Sequence, residues 1–362
     1  MKKKAILSTI LIGCAGSLFA QDTANKEKDP LSISGYVEAY YSYDFAKPAD
    51  HKRPSFIYSH NRSNEVQLNL GFIKAAYQTP KVRANLALAT GTYMNANYAS
   101  EPDVLKNIYE ANVGVKISKN KNLWVDAGIF VSHLGFESAV GANNWTLTRS
   151  LFAENSPYFE TGAKISFTSD NGKWFLSGLV LNGWQRIQRV DGNNMPAFGH
   201  QITFTPNSNI TLNSGSFIGS VSADSIGKMR YFHNFYGIFQ LSKTFALTIG
   251  FDIGAQQASH GSDHYNIWYS PVLLARFKLN KKHSITLRSE YYNDENGVII
   301  ATGTPNGFQT VGYSLNYDYH ILDNVMWRIE LRGFSSKDKI FILNENPGTN
   351  NFAITTALAI SF

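Results

Sequence analysis

Several stretches of this chain hold residues that could do chemistry, and their spacing decides against each. His260-Gly-Ser-Asp263-His264 puts two imidazoles and a carboxylate within five residues. A zinc site of the His-Glu-x-x-His kind needs a helix to bring positions i and i+4 onto one face. Strand-like patterns flank this stretch, so it reads as a solvated loop. Gly303-Thr-Pro-Asn-Gly307 lacks the Lys-Ser/Thr pair of a phosphate-cradling loop. The nine histidines are scattered among serines without a nucleophile elbow. Cys14 is the only cysteine and lies in the N-terminal apolar stretch. The rest of the chain therefore has no thiolate, disulfide or Cys metal site. No catalytic, metal or cofactor residue is expected. With no basic run or recognition motif, no nucleic-acid partner is expected either.

Charged residues that recur singly within alternating apolar stretches point to another use. Phe245, Leu247, Ile249, Phe251, Ile253 and Ala255 share one parity, and Asp252 sits on the other. Val325, Trp327, Ile329 and Leu331 alternate in the same way with Arg328, Glu330 and Arg332. Along the chain, Glu38, Asp44, Glu65, Glu110, Asp126, Glu160, Asp252, Glu290, Asp318 and Glu330 fall opposite the apolar side chains. So do Arg83, Lys116, Lys164, Arg230, Arg276, Lys278, Arg288, Arg328 and Arg332. Period two puts alternate side chains on opposite faces of a strand, so these residues line a wet face behind an apolar one. Lys74 alone lands on the apolar parity. A lysine facing lipid at the bilayer midplane costs about 2–4 kcal/mol. Snorkelling at the strand end, or a phase slip around Ile73, would relieve it.

The elements that must position these residues are sixteen strands. They fall near 31–45, 64–78, 82–95, 108–118, 123–131, 158–168, 173–183, 198–206, 210–221, 229–241, 245–256, 265–279, 283–293, 308–320, 325–334 and 351–362. Seven connections are short: Thr79–Lys81, Ser118–Asn122, Ser169–Gly172, Pro206–Asn209, Ser242–Thr244, Asn280–Lys282 and Ile321–Asn324. They are rich in residues that form tight turns without strain. The eight between them are longer. This rhythm predicts an all-β fold, a transmembrane antiparallel up-and-down barrel with short periplasmic turns and long outer loops. Aromatics make up 14% of the chain, and 19 Tyr accompany 24 Phe. Amphipathic rings suit two boundaries between water and hydrocarbon, and Tyr43, Phe45, Tyr291 and Tyr292 are expected there.

Both ends agree with export to an outer membrane. Lys2, Lys3 and Lys4 precede an apolar run, Ala5 to Gly13, and a cleavage site at Ser17-Leu18-Phe19-Ala20. The expected division is a signal peptide at 1–20, a short lead-in at 21–30 and a single barrel domain at 31–362. Leu11-Ile12-Gly13-Cys14 also has the form of a lipoprotein signal. Loss of the three lysines lowers the net charge from +6 to +3. In Asn351–Phe362, Phe352, Ile354, Leu358, Ile360 and Phe362 share one parity, opposite small residues. A final strand with a terminal Phe is what the barrel-assembly machinery recognises, which makes Phe362 the expected assembly signal.

A sixteen-strand barrel is too wide for its side chains to fill, so it encloses water or a plug. Pore lining is expected from Glu38, Arg83, Glu110, Lys116, Asp126, Lys164, Asp252, Arg288, Glu290, Arg328, Glu330 and Arg332. Ten inward acids against nine inward bases give a nearly neutral lumen. An acidic arc on strands one to five and a basic arc on strands twelve to fifteen would set up a transverse field, or pair as wall salt bridges. The longest connection, Ser132–Pro157, holds Glu137, Trp145, Arg149 and Glu154. Long loops without secondary structure are commonly functional. Glu137, Arg149 and Glu154 are expected to form a constriction if it folds inward.

With its strands in place, the chain resembles the putative β-barrel porin-2 (OmpL-like) family of Gram-negative outer-membrane proteins. The segments that carry the likeness include GYVEAYYSYDF at 35–45, NEVQLNLGFIKAAY at 64–77, VRANLALATGTY at 82–93 and NIYEANVGVK at 107–116. LTRSLFAENSPYFETG at 147–162, KWFLSGLVLNGWQRI at 173–187, YNIWYSPV at 265–272 and GVIIATGTPNGFQTVGYSLNYD at 297–318 continue it. The resemblance implies a porin and supplies no functional residues. The expected activity is passive diffusion of small hydrophilic solutes, in contact with outer-membrane lipid, with a homotrimer as one arrangement. Two other readings are a plugged or adhesive barrel that binds ligands through its outer loops, and a barrel hydrolase.

Overall fold

The computed structural model describes residues 29–343 and 346–362, so the expected signal peptide, Cys14 and most of the lead-in lie outside the described residues. Its wall strands are β1 (Leu31–Asp44), β2 (Glu65–Gln78), β3 (Val82–Thr90), β4 (Ile108–Lys116), β5 (Asn122–Val131), β6 (Phe159–Thr168), β7 (Trp174–Leu181) and β8 (Ala197–Asn207). They continue with β9 (Ile210–Ser220), β10 (Met229–Gln240), β11 (Phe245–Gln257), β12 (Tyr265–Lys278), β13 (His283–Asp294), β14 (Phe308–Leu322) and β15 (Val325–Ser336), then a closing strand, Asn350–Ser361. Each strand pairs antiparallel with its sequence neighbours, and the closing strand pairs with β1 to complete the barrel. The expected sixteen strands are thus present.

Turn chemistry explains the short connections. Thr79, Ser118 and Ser242 use a side-chain hydroxyl to accept a backbone N–H two or three residues on. Asn171, Asn207 and Asn280 use the carboxamide oxygen in the same way. Such bonds replace the ladder where the strand stops.

Exposure is inverted relative to a water-soluble sheet. Ile249, Leu287, Leu315, Leu331 and Phe352 are exposed, while Asp252, Arg288, Glu290, Arg328 and Glu330 are buried. A continuous apolar exterior of this kind fits lipid and would aggregate in water. One outward row departs from it. His200, Ser216 and His233 lie side by side across β8, β9 and β10. Ser216 Oγ is 2.6 Å from His200 Nδ1, and Ser214 Oγ is 3.0 Å from His233 Nε2. These polar groups satisfy one another within the apolar band.

Three expectations need correction. Lys74 does not face lipid, and of the two expected remedies the phase slip is the one present, at Asn69 rather than Ile73: the β1–β2 register shifts between Glu38 and Ala39, and Asn69 has no opposite residue. This bulge moves the parity by one position. Ile73 then points outward and Lys74 inward, where it forms an ion pair with Glu110. Tyr292 is buried inside against Phe308, because neighbours on a strand take opposite faces and only one of Tyr291 and Tyr292 can sit in the girdle. The third strand ends at Thr90, short of residue 95. Gly91 has φ +127°, and a Cβ there would stand 2.4 Å from the Asn69 carbonyl oxygen. The chain leaves the wall at this glycine and enters a short helix, Thr92–Asn97. The sequence reading also missed a hairpin in the last loop, Phe341–Leu343 against Asn346–Gly348.

Candidate functional site

The loop 132–157 does not stand above the membrane. It turns into the barrel, and Thr146 to Glu154 are all buried. Its shape comes from its own side chains. The Arg149 guanidinium donates to the carbonyls of Ser138, Ala139 and Leu147 at 2.7–2.8 Å. It thereby gathers three oxygens that water can no longer reach. Ser150 caps the helix Leu151–Glu154 by accepting from Ala153 N at 3.2 Å. Half-buried Glu137 accepts from the Ser150 amide and hydroxyl. Glu154 accepts from the amides of Tyr58 (2.9 Å) and Ser59 (3.1 Å), which fastens the first outer loop to the long one. Burial raises the Glu154 carboxyl to about 7, against the opposing pull of Arg149, Arg332 and these two amides.

The wall grips this loop with side chains from β13, β14 and β15. Arg288 donates to Thr146 Oγ1, Thr148 O and Thr148 Oγ1 at 2.7–3.0 Å. Arg328 donates to the carbonyls of Gly141 (2.7 Å) and Asn144 (3.0 Å). In return Glu330 accepts from Thr148 N (2.6 Å), Glu290 from Leu151 N (2.5 Å) and Asn316 from Leu147 N (2.9 Å). The same groups pair with one another: Arg288 with Glu330 at 2.8 Å, Arg332 with Glu290 at 2.7 Å and Arg328 with Asp318 at 2.7 Å. Buried ion pairs repay their desolvation only when the remaining donors and acceptors also find partners. Here loop carbonyls, amides and hydroxyls supply most of them.

Several other inward charges pair locally. Glu38 accepts from Tyr36 Oη (2.7 Å) and Asn69 Nδ2 (2.7 Å) and lies 2.9 Å from His60 Nε2. Arg83 forks onto Asp126 at 2.5–2.6 Å and lies over Trp124. Glu110 meets Lys74, Glu160 meets His133 at 2.7 Å, and Asp252 accepts from Asn234 at 2.6 Å. Lys164 lies 4.7 Å from the centre of the Phe130 ring. Lys116 is half-exposed at the turn end of β4.

Period two therefore places the expected residues on the inward side, but many of them meet the loop rather than open water. Glu38, Arg288, Glu290, Arg328, Glu330 and Arg332 are at most 3% exposed. Glu137, Arg149 and Glu154 come together as the loop's internal frame. Within the basic arc, Arg288, Arg328 and Arg332 are matched by neighbouring carboxylates. Sequence reading missed Tyr36, Asn69, Asn234 and Asn316, neutral groups that complete the anchoring. Their only signal is a polar side chain on the inward parity. Among the described residues, no group of His, Asp or Glu has metal-holding geometry.

A family model described as "Putative beta-barrel porin-2, OmpL-like" matches residues 30–362. Among solved structures, an anion-selective porin from Comamonas acidovorans aligns with TM-score 0.60 at 10% identity, covering 92% of this chain and 99% of that one. The outer membrane channel DcaP of Acinetobacter baumannii aligns with TM-score 0.57 at 10% identity, covering 92% and 97%. OmpT of Vibrio cholerae, in a trimer form, gives 0.59 at 7% identity, covering 92% and 99%. At these identities the likeness is one of fold. No curated protein matches the chain.

Proposed function

Given that the chain belongs to the putative β-barrel porin-2, OmpL-like family of outer-membrane channels, we propose that small hydrophilic solutes diffuse through its barrel past the inward-folded loop 132–157. The observation that carries this reading is the clamp of Arg288, Glu290, Arg328 and Glu330 on that loop. A barrel of this width needs narrowing to sieve solutes, and a loop pinned inside by charge-assisted bonds narrows it without closing the wall. Pore lining falls to inward side chains that water still reaches, Arg83, Lys116 and Lys164 among them. The reading includes no reaction, metal or cofactor.

A liposome-swelling series with sugars of increasing size tests it. Swelling that falls steeply with solute size supports the sieve, and no swelling with any solute contradicts it. The burial of Thr146 to Glu154 also favours a second reading, a barrel plugged at rest, for which the mark is a folded protein without conductance.

The proposal extends to assembly. A trimer is recorded for the OmpT neighbour, and this chain is proposed to form one as well. Phe362 exchanges backbone hydrogen bonds with Gly35 at 2.7 and 3.0 Å and presents an exposed ring at the barrel seam. This supports its role as the signal read by the barrel-assembly machinery. Residues 1–20 are proposed to be removed on export.

A further inference from the structure

Counted along the sequence, the inward charges nearly cancel. Burial removes nine of the ten acids from water but only four of the nine bases. Of the inward acids, Glu38, Asp44, Glu110, Asp126, Glu160, Asp252, Glu290, Asp318 and Glu330 are all buried, and only Glu65 is half-exposed. Of the inward bases, Arg83, Lys116, Lys164, Arg276 and Lys278 keep contact with water. Arg83, Lys116 and Lys278 lie at strand ends next to the short turns, and Arg276 lies two residues from Lys278. A passing ion feels the charges it meets in water far more than those sealed behind a loop and already paired.

The bases are also unequally compensated. Arg83 is matched by Asp126. Among the described residues, no carboxylate stands within ion-pair distance of Lys116, Arg276 or Lys278. Arg276 lies beneath the loop, its guanidinium carbon 5.8 Å from the centre of the Trp145 ring, and its Nε is buried without an acceptor. Together with Lys243 and Lys281 from adjoining turns, and Ser284 and His320 from β13 and β14, Arg276 and Lys278 line a recess of about 510 Å³ with no carboxylate in its wall. Asp318 on β14 is held by Arg328. A guanidinium fork, several ammonium groups and neutral donors around one recess are the complement of an oxyanion.

Resting on the channel reading above, we infer that the vestibule on the short-turn side of the loop favours anions, and that the recess around Arg276 and Lys278 holds the carboxylate or phosphate group of a passing solute. Reversal potentials in a KCl gradient across a planar bilayer test the first part. The wild-type protein is expected to pass chloride more readily than potassium. Arg276→Gln combined with Lys278→Glu should lower the chloride-to-potassium permeability ratio by about twofold or more, since such charges set pore selectivity. Lys278→Glu alone, at an exposed strand end, should shift the ratio in the same direction and serves if the double variant does not assemble. Inorganic phosphate tests the recess: it should reduce chloride current through wild type and not through the variant. A conducting wild-type channel that favours potassium, or an unchanged ratio in the variants, overturns the inference while leaving the channel reading intact. A phosphate response that survives the substitutions overturns the recess. A wild-type protein that never conducts removes the channel reading and this inference with it.

Discussion

Arg288 sits where two wall carboxylates and the long loop meet, so its removal separates the two roles of the clamp. Arg288→Met leaves Glu290 and Glu330 buried with less compensation. Breaking a buried pair by removing one partner costs about 3–5 kcal/mol. The barrel should still close, because its ladder does not use this side chain. The loop should loosen, giving noisier current and a lower denaturant midpoint for the folded barrel in detergent. Quiet current with wild-type stability would show that Arg288 does not hold the loop. Glu154 supplies a pH test. Its carboxyl is raised from the usual range to about 7 by burial. Below about pH 4 the group is neutral in both the docked and the released loop, and the docked state bears no penalty. As pH rises from 4.5 to about 7 the released carboxyl ionises while the docked one stays neutral, so docking weakens by about 3 kcal/mol overall and changes little above that. Current noise should therefore grow from pH 5 to about pH 7, and Glu154→Gln should flatten that trend. A variant with the wild-type pH profile would contradict it.

At the scale of elements, the strands were legible because lipid outside and water inside impose an alternation that each stretch must repeat. The turns were legible because few residue types accept the backbone N–H groups a strand leaves behind. Asn69 marks where legibility stopped. A bulge adds one residue without changing the composition around it, so Lys74 reads as facing lipid when it reaches Glu110. Deleting Asn69 should remove the bulge and leave Lys74 facing inward, since the residues on either side already have the phases that an unbroken ladder would give them. The fraction of heat-modifiable barrel should fall only through the lost Asn69 bonds to Glu38 and the His60 amide, and Lys74→Leu in the same background should not recover it. Recovery by Lys74→Leu would mean that deletion had turned Lys74 toward lipid and that the bulge does not set the phase in this way. The candidate site was legible only by half. Inward parity follows from period two, but the meeting of Arg288 with Thr148, or of Glu154 with Ser59, depends on how a 26-residue loop folds across a closed ring. Local spacing holds no record of that.

At the scale of the whole molecule, an apolar exterior and a charged, mostly paired interior make sense together only in a membrane. Closure depends on the last strand meeting the first, with Phe362 and Gly35 sharing the seam. Truncation of Phe362 should reduce outer-membrane assembly several-fold while the protein that does fold keeps its barrel, since the seam retains the register from Tyr36–Ser361 to Asp44–Ala353. Normal levels of heat-modifiable barrel would contradict the role of that residue. The central claim is that the clamped loop narrows a channel that would otherwise be wide. Single-channel conductance of the wild-type protein, beside a variant in which residues 138–150 are replaced by a short glycine-serine link, tests it most directly. The account predicts a small, steady wild-type conductance that rises severalfold in the variant. Equal conductance in the two, or none in either, would contradict it.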